Sequence, residues 1–193
     1  SQASTLTTMI LIAADAMLVA LAASLVVNLT DAIDTLMTRG KTPHFMQMHA
    51  GTLEPAQLAA FVEQHPEIAD FQVLEFLNID GAQIRFPARS LASSVQDNGF
   101  AVQSSTFDYL LDRNGKVIEV ADGELYVPIP YWQDGSAHLG DKVQVAGQEF
   151  VVAGFLRDSQ MNALLASSKR FLVSNHDYAA IRGFGNVASA RAD

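Results

Sequence analysis

The sequence predicts an α+β protein: a long N-terminal helix, a small strand-helix-strand layer and a β-rich hairpin subdomain. Three observations carry that reading. Residues 9–27 are apolar apart from Asp15 and Ser24, and the first basic residue is Arg39. A helical stripe of Leu58, Phe61 and Val62 stands between two runs of strand character. Beyond residue 105, apolar runs of strand length recur on either side of Asn114-Gly115 and Ala146-Gly147. The chain therefore divides into a membrane helix with its stalk (1–40) and an α+β domain (41–193). The domain comprises an α+β layer (41–90) and a β-rich layer (105–182).

The first element is a helix from its composition and its lack of breakers. Met9 to Val27 is nineteen residues, about 28 Å of helix and close to the thickness of a bilayer's hydrocarbon core. No Pro or Gly interrupts the chain before Gly40, and Leu29, Ile33, Leu36 and Met37 share one face of the following turns. That is the pattern of an amphipathic stalk. Arg39 suits its last turn, Gly40 its cap, and Pro43 prevents continuation. Asp15 opposes a lone spanning helix, since a carboxylate at the bilayer centre costs about 2.5–3.5 kcal/mol on insertion scales. Three readings compete: a signal peptide, which lacks a basic start; a soluble core helix with Asp15 outward; and a membrane helix whose Asp15 faces neighbouring helices. The third is favoured, although no basic residue precedes the helix to orient it.

The remaining elements follow in order. His44 to His49 reads as a short strand. Pro55 opens a helix with Leu58, Phe61 and Val62 inward, and Pro66 ends it. Phe71 to Ile79 is a strand that Asp80-Gly81 should turn back into Ala82–Phe86 as a hairpin. Residues 87–98 are polar and Ser-rich, a loop or short helix. Tyr109 to Val120 reads as a hairpin around Asn114-Gly115. Leu125 to Tyr131 carries Pro128 and Pro130, which place it at an edge or at a sheet's rim because proline cannot donate to a ladder. Lys142–Val145 and Gln148–Leu156 pair around Ala146-Gly147. Some helix is expected around Leu164 and Leu165. Arg170–Ser174 is a last strand, Asn175 caps a short helix through Ile181, and the small and polar residues from Gly183 suggest a frayed tail.

Composition excludes several functions. All twelve basic and eighteen of the twenty-one acidic residues lie beyond Thr38, a net charge of −6 for that part, so nucleic acid is not an expected partner. With no cysteine, disulfides and thiolate metal sites are excluded. Arg39-Gly40-Lys41-Thr42 contains the end of a phosphate-binding loop. However, Thr35 stands where its first glycine should be, and Pro43 where its helix should start. Asp112, Asn114 and Glu119 have a calcium loop's residue types with the glycine two positions too early, and a hairpin explains them. His44 and His49 point to opposite faces of a strand, and His65, His138 and His176 are scattered. No nucleophile elbow, paired carboxylate or metal set stands out, so no catalytic, cofactor-binding or metal residue is assigned and an enzyme is not expected. Tyr126, Tyr131 and Trp132 form an aromatic group for which packing at a sheet rim competes with a carbohydrate or peptide platform. Asp158-Ser159-Gln160-Met161-Asn162 is a further candidate loop.

One stretch carries a family resemblance. Gly140-Asp141-Lys142-Val143-Gln144-Val145-Ala146-Gly147-Gln148-Glu149-Phe150-Val151-Val152-Ala153-Gly154-Phe155 resembles the G-D-x-V-x-V-x-G-x-x-F-x-V-x-G hairpin of the extracytoplasmic domains of FtsX-like and MacB-like ABC transporter permeases. The preceding Leu125–Pro130 strand, Arg157–Asn162 and Lys169–Ser174 are similar to segments of that family, in the same succession. The resemblance implies a non-enzymatic subunit of the cell membrane, with its domain on the extracytoplasmic side. Its implied partners are a cytoplasmic ATPase subunit and a peptide, lipid or protein substrate. It also implies a second membrane helix, which does not occur before Asp193. Contact with another copy through the N-terminal helix, giving a homodimer, is a further expectation. The alternative reading is a secreted or membrane-anchored ligand-binding module using Tyr126, Tyr131 and Trp132.

Overall fold

The computed structural model describes residues 2–50, 53–161 and 166–192. The chain forms two compact units, Ser1–Thr35 and Leu36–Asp193. The first consists of most of α1, Gln2–Gly40, an unbroken helix of 39 residues. Its most apolar 18-residue window has a mean hydropathy of 2.5, and none of that window is buried. By length and composition this helix suffices to cross a membrane. Leu18 and Leu25 are 65% and 69% exposed, so the helix gains nothing from packing in the monomer.

The second unit is built on one mixed sheet. In chain order its elements are β1 (Met46–Ala50), α2 (Pro55–Gln64), β2 (Gln72–Asn78), β3 (Ile84–Arg85) and β4 (Asp97–Ala101). They continue with β5 (Glu124–Pro128), α3 (Ile129–Gln133), β6 (Lys142–Val145), β7 (Gln148–Leu156), β8 (Ser168–Leu172), α4 (Asn175–Ile181) and β9 (Asn186–Ala192). The α+β class expected from the sequence is what the chain adopts. The strands run in the order β1-β9-β2-β4-β8-β5-β7-β6-β3, a single sheet spanning both expected layers. β1 and β2 are each antiparallel to β9, so strand, helix and strand form a split βαβ unit with β9 between its strands.

Several local expectations change once strand partners are known. The tail is not frayed, because β9 is paired along both edges. The proposed hairpin at Asp80-Gly81 does not form. Asp80 Oδ1 accepts the Ala82 N–H at 2.7 Å and starts a 3₁₀ turn, after which Ile84 and Arg85 pair with β6. A strand, β4, also begins within the segment read as a loop. Gly99 permits it, since a Cβ there would lie 1.8 Å from Phe76 Cζ, and β4 binds β2 on one side and β8 on the other. Of the two places expected for the prolines of β5, the edge is not taken, since the strand lies between β8 and β7, but the rim is: Pro128 is its last residue and Pro130 stands in the first turn of α3. Proline is harmless where the ladder ends. The cap of α4 is Ser174 rather than Asn175, its hydroxyl accepting the Asp177 N–H. In α2 only Leu58 of the expected stripe is fully buried. Phe61 is exposed and its ring lies tilted against His65, with centroids 4.2 Å apart. The helix expected around Leu164 and Leu165 lies outside the described residues.

Other local signals translate directly. Ala146 and Gly147, with φ of 50° and 82°, make the tight turn between β6 and β7. Asn114-Gly115 also turns the chain: Leu111 and Val117 bridge across it, and Asp112 N–H donates to Lys116 O at 2.8 Å and Ile118 N–H to Leu110 O at 3.3 Å. The core lies between the sheet and its helices, centred on Phe171, which stacks on Phe100 at 5.0 Å and on Tyr131 at 5.6 Å.

Candidate functional site

The chemistry that distinguishes this chain gathers where α1 enters the domain, within the second unit. The helix ends in a Schellman motif: Thr42 N–H donates to Met37 O at 3.0 Å and Lys41 N–H to Thr38 O at 3.2 Å. Lys41, not Gly40, occupies the left-handed position, with φ of 45°. Gly40 is buried against the 108–109 backbone, where a Cβ on it would lie in van der Waals contact, 3.4 Å from Tyr109 O. Across that contact Tyr109 N–H donates to Gly40 O at 2.7 Å and Asp108 N–H to Lys41 O at 2.9 Å. Arg39 Nη1 donates to Asn114 O at 3.2 Å, over Gly115, where a Cβ would meet Nη1 at 2.8 Å. The Lys41 ammonium lies 5.4 Å from the Tyr109 ring centroid.

The loop that receives the helix is held by amide side chains. Gln72 Oε1 accepts from the hydroxyls of Ser104 and Thr106 at 2.7 Å each, and its Nε2 donates to Phe107 O. Gln103 accepts the Leu110 N–H and donates to Leu110 O and Ile118 O. These bonds position Asp108, which is buried and left-handed, with φ of 58°.

Asp108 connects the junction to a buried charge network. Arg170, on β8 in the interior of the sheet, donates Nη1 to Asp108 Oδ2 at 2.5 Å and Nη2 to Asp108 Oδ1 at 3.1 Å. On its other side Nε and Nη2 donate to Asp158 at 2.6 and 2.7 Å. All three residues are at most 5% exposed. Burial pushes the Asp158 carboxyl up. The Arg170 charge and hydrogen bonds, with the N–H groups of Gln160 and Met161, outweigh it and hold Asp158 below the ordinary carboxylate range. For Arg170, burial opposes the charge but the two carboxylates prevail, raising it further above the ordinary guanidinium value. A second cation is near: Lys169 donates to Ala166 O at 2.9 Å, and burial lowers its ammonium while Asp158 opposes that effect. The network is thus a rigid structural anchor made from three distant segments.

No protein-family model matches the chain, and no curated protein is similar to it. The sequence-level candidates must therefore be judged on geometry. Tyr126, Tyr131 and Trp132 do not share a surface. Tyr131 is buried, with burial pushing its hydroxyl up to about 12, and the Trp132 ring is covered by Arg113, whose Cζ lies 4.0 Å from the centroid. The Asp112 carboxylate is occupied by the turn, accepting from Asn114 and Lys116 N–H. Among the described residues no group of three or more His, Asp or Glu is placed to hold a metal ion. His44 lies in the connector after α1, while His65, His138 and His176 each sit beside a nearby carboxylate. The candidate loop after β7 does matter, since Asp158 belongs to the network, a role its sequence context did not specify. Beside the junction, Lys41–Phe45, residues 67–70 and Phe107 line an open groove of about 570 Å³.

Proposed function

We propose that the chain is the extracytoplasmic domain of an FtsX- or MacB-like ABC transporter permease subunit, together with its leading membrane helix and stalk. ATP-driven rearrangement elsewhere moves the helix, and the domain passes that motion to an extracytoplasmic substrate or partner. One observation carries the reading. The apolar helix ends on backbone bonds to Asp108, the residue whose side chain enters the buried Arg170 network. A displacement of the last helical turn thus bears on the interior of the sheet through a short chain of strong, charge-assisted contacts. The helix itself supports a membrane location, being long, apolar and exposed.

The β6–β7 hairpin supports the family resemblance by its turn and by Gly154, which lies under the Tyr126 ring, where a Cβ would be 2.5 Å from Cε1. In this role the domain needs no reactive group: its work is to remain stiff under load, and a fully hydrogen-bonded core network serves that. The test is co-purification of the full-length protein from membranes in mild detergent. Recovery with a nucleotide-binding ATPase subunit is expected. A protein that enters the membrane yet stays alone under several detergents refutes the transporter assignment.

A further inference from the structure

We propose that the junction between α1 and the domain is a latch with two positions, fastened in this structure and released by breaking only the contacts between residues 39–41 and the loop around 108–115. The proposal depends on the transporter reading for its use, not for its existence.

The contacts define where the break falls. The bonds that cross it are Tyr109 N–H to Gly40 O, Asp108 N–H to Lys41 O and Arg39 Nη1 to Asn114 O, with the Lys41 ammonium over Tyr109. On the domain side, Asp108 is retained by both Nη atoms of Arg170, and Leu111 is bridged to Arg157. On the helix side, the Schellman bonds hold residues 37–42 together. Release therefore separates two internally bonded pieces without opening the core.

The fastened position also contains unfavourable local features. Three non-glycine residues among those described have a left-handed backbone, and two of them, Lys41 and Asp108, are bonded to one another here. Among the described residues, one buried side-chain polar atom has no hydrogen-bond partner: Ser159 Oγ. It lies against the same glycine, 3.8 Å from where a Gly40 Cβ would be. Strained backbone and an unpaired hydroxyl persist only where surrounding contacts hold them, and they gather at switch regions. In the released position Lys41 keeps the left-handed geometry that the Schellman bonds require, while the Ser159 hydroxyl meets water. The unpaired hydroxyl thus biases the junction toward release, while the crossing bonds keep it fastened.

Amide hydrogen exchange of the full chain in lipid nanodiscs tests the latch. The Asp108 and Tyr109 amides should exchange on the order of 100-fold faster than those of Val152 and Val173, and without the urea dependence of global unfolding. Ser159→Ala, which removes the unpaired hydroxyl, should slow Tyr109 exchange about three- to tenfold. Trp132 fluorescence establishes that the variant is folded. Exchange at Tyr109 as slow and as urea-dependent as at Val152 overturns the latch, as does a Tyr109 rate unchanged in the folded variant. A latch that opens in a protein never recovered with an ATPase would sink the transporter reading and leave the latch standing.

Discussion

Replacing Arg170 with methionine removes the one guanidinium that joins Asp108 to Asp158. Four charge-assisted hydrogen bonds disappear, and the two carboxylates, each at most 2% exposed, face each other's charge in the interior. Their fates differ. Asp158 keeps the N–H groups of Gln160 and Met161, at 2.8 and 3.0 Å, whereas Asp108 loses its side-chain partner. Removing one member of such a buried set costs about 3–5 kcal/mol, a large part of the roughly 5–15 kcal/mol that holds a domain folded. Urea unfolding in detergent, followed by the single tryptophan, Trp132, measures this for the domain rather than for the helix. The pH dependence supplies a second measurement. In the wild type the Asp158 carboxyl is depressed, so its contribution is complete above its ordinary value of 3.8 and is lost as pH falls through the lower folded value. In the variant the stabilising charge is gone, and burial favours the protonated form of Asp158 instead. The gap between the two proteins should therefore narrow on acidification. A loss below about 1 kcal/mol, or a gap that does not change between pH 7 and pH 4, would refute the reasoning.

Three other substitutions probe separate parts of the molecule. Gly99→Ala places a Cβ 1.8 Å from Phe76 Cζ in the buried interior and should cost about 1–3 kcal/mol in urea unfolding, since the ring has no free space to retreat into. Ala146→Gly relieves a left-handed alanine at the β6–β7 turn and should raise the unfolding midpoint, by about 0.5 kcal/mol in stability after glycine's added chain entropy. Leu18→Arg puts a charge at the middle of the apolar helix, at an insertion cost of about 2.5–3.5 kcal/mol. It should shift the full-length protein from the membrane to the soluble or degraded fraction on cell fractionation.

Some local features were legible from neighbouring residues alone, although Asp80-Gly81 carried a hairpin signal and starts a 3₁₀ turn instead. Ala146-Gly147 specifies a turn because two successive positive φ angles are needed there, and Pro55 starts α2 because a first-turn proline lacks only an N–H that had no intrahelical partner. Pro128 left two places open, an edge strand or the rim of the sheet, and the partners of β5 on both sides decide for the rim. β4 and β9 were invisible because Asn98-Gly99 and the small-residue tail have little strand character of their own. They are strands because each receives hydrogen bonds from both sides. The junction was half legible: Arg39, Gly40 and Pro43 marked the helix end, but the partners awaiting it at Asp108, Tyr109 and Asn114 could not be read from that end.

By itself, then, the chain determined a long apolar helix without a breaker, a turn-rich α+β domain behind it, and a net negative charge. These depend on composition, periodicity and turn chemistry, which act over a few residues. Tertiary structure alone decided the order of the nine strands, the burial of Asp108, Asp158 and Arg170 together, and the seat of the helix end on the 108–115 loop. The joins of Asp108 to Arg170 and of Gly40 to Tyr109 span more than sixty residues, and there the free energy comes from shared burial and the pairing of desolvated charges, quantities that no single segment contains.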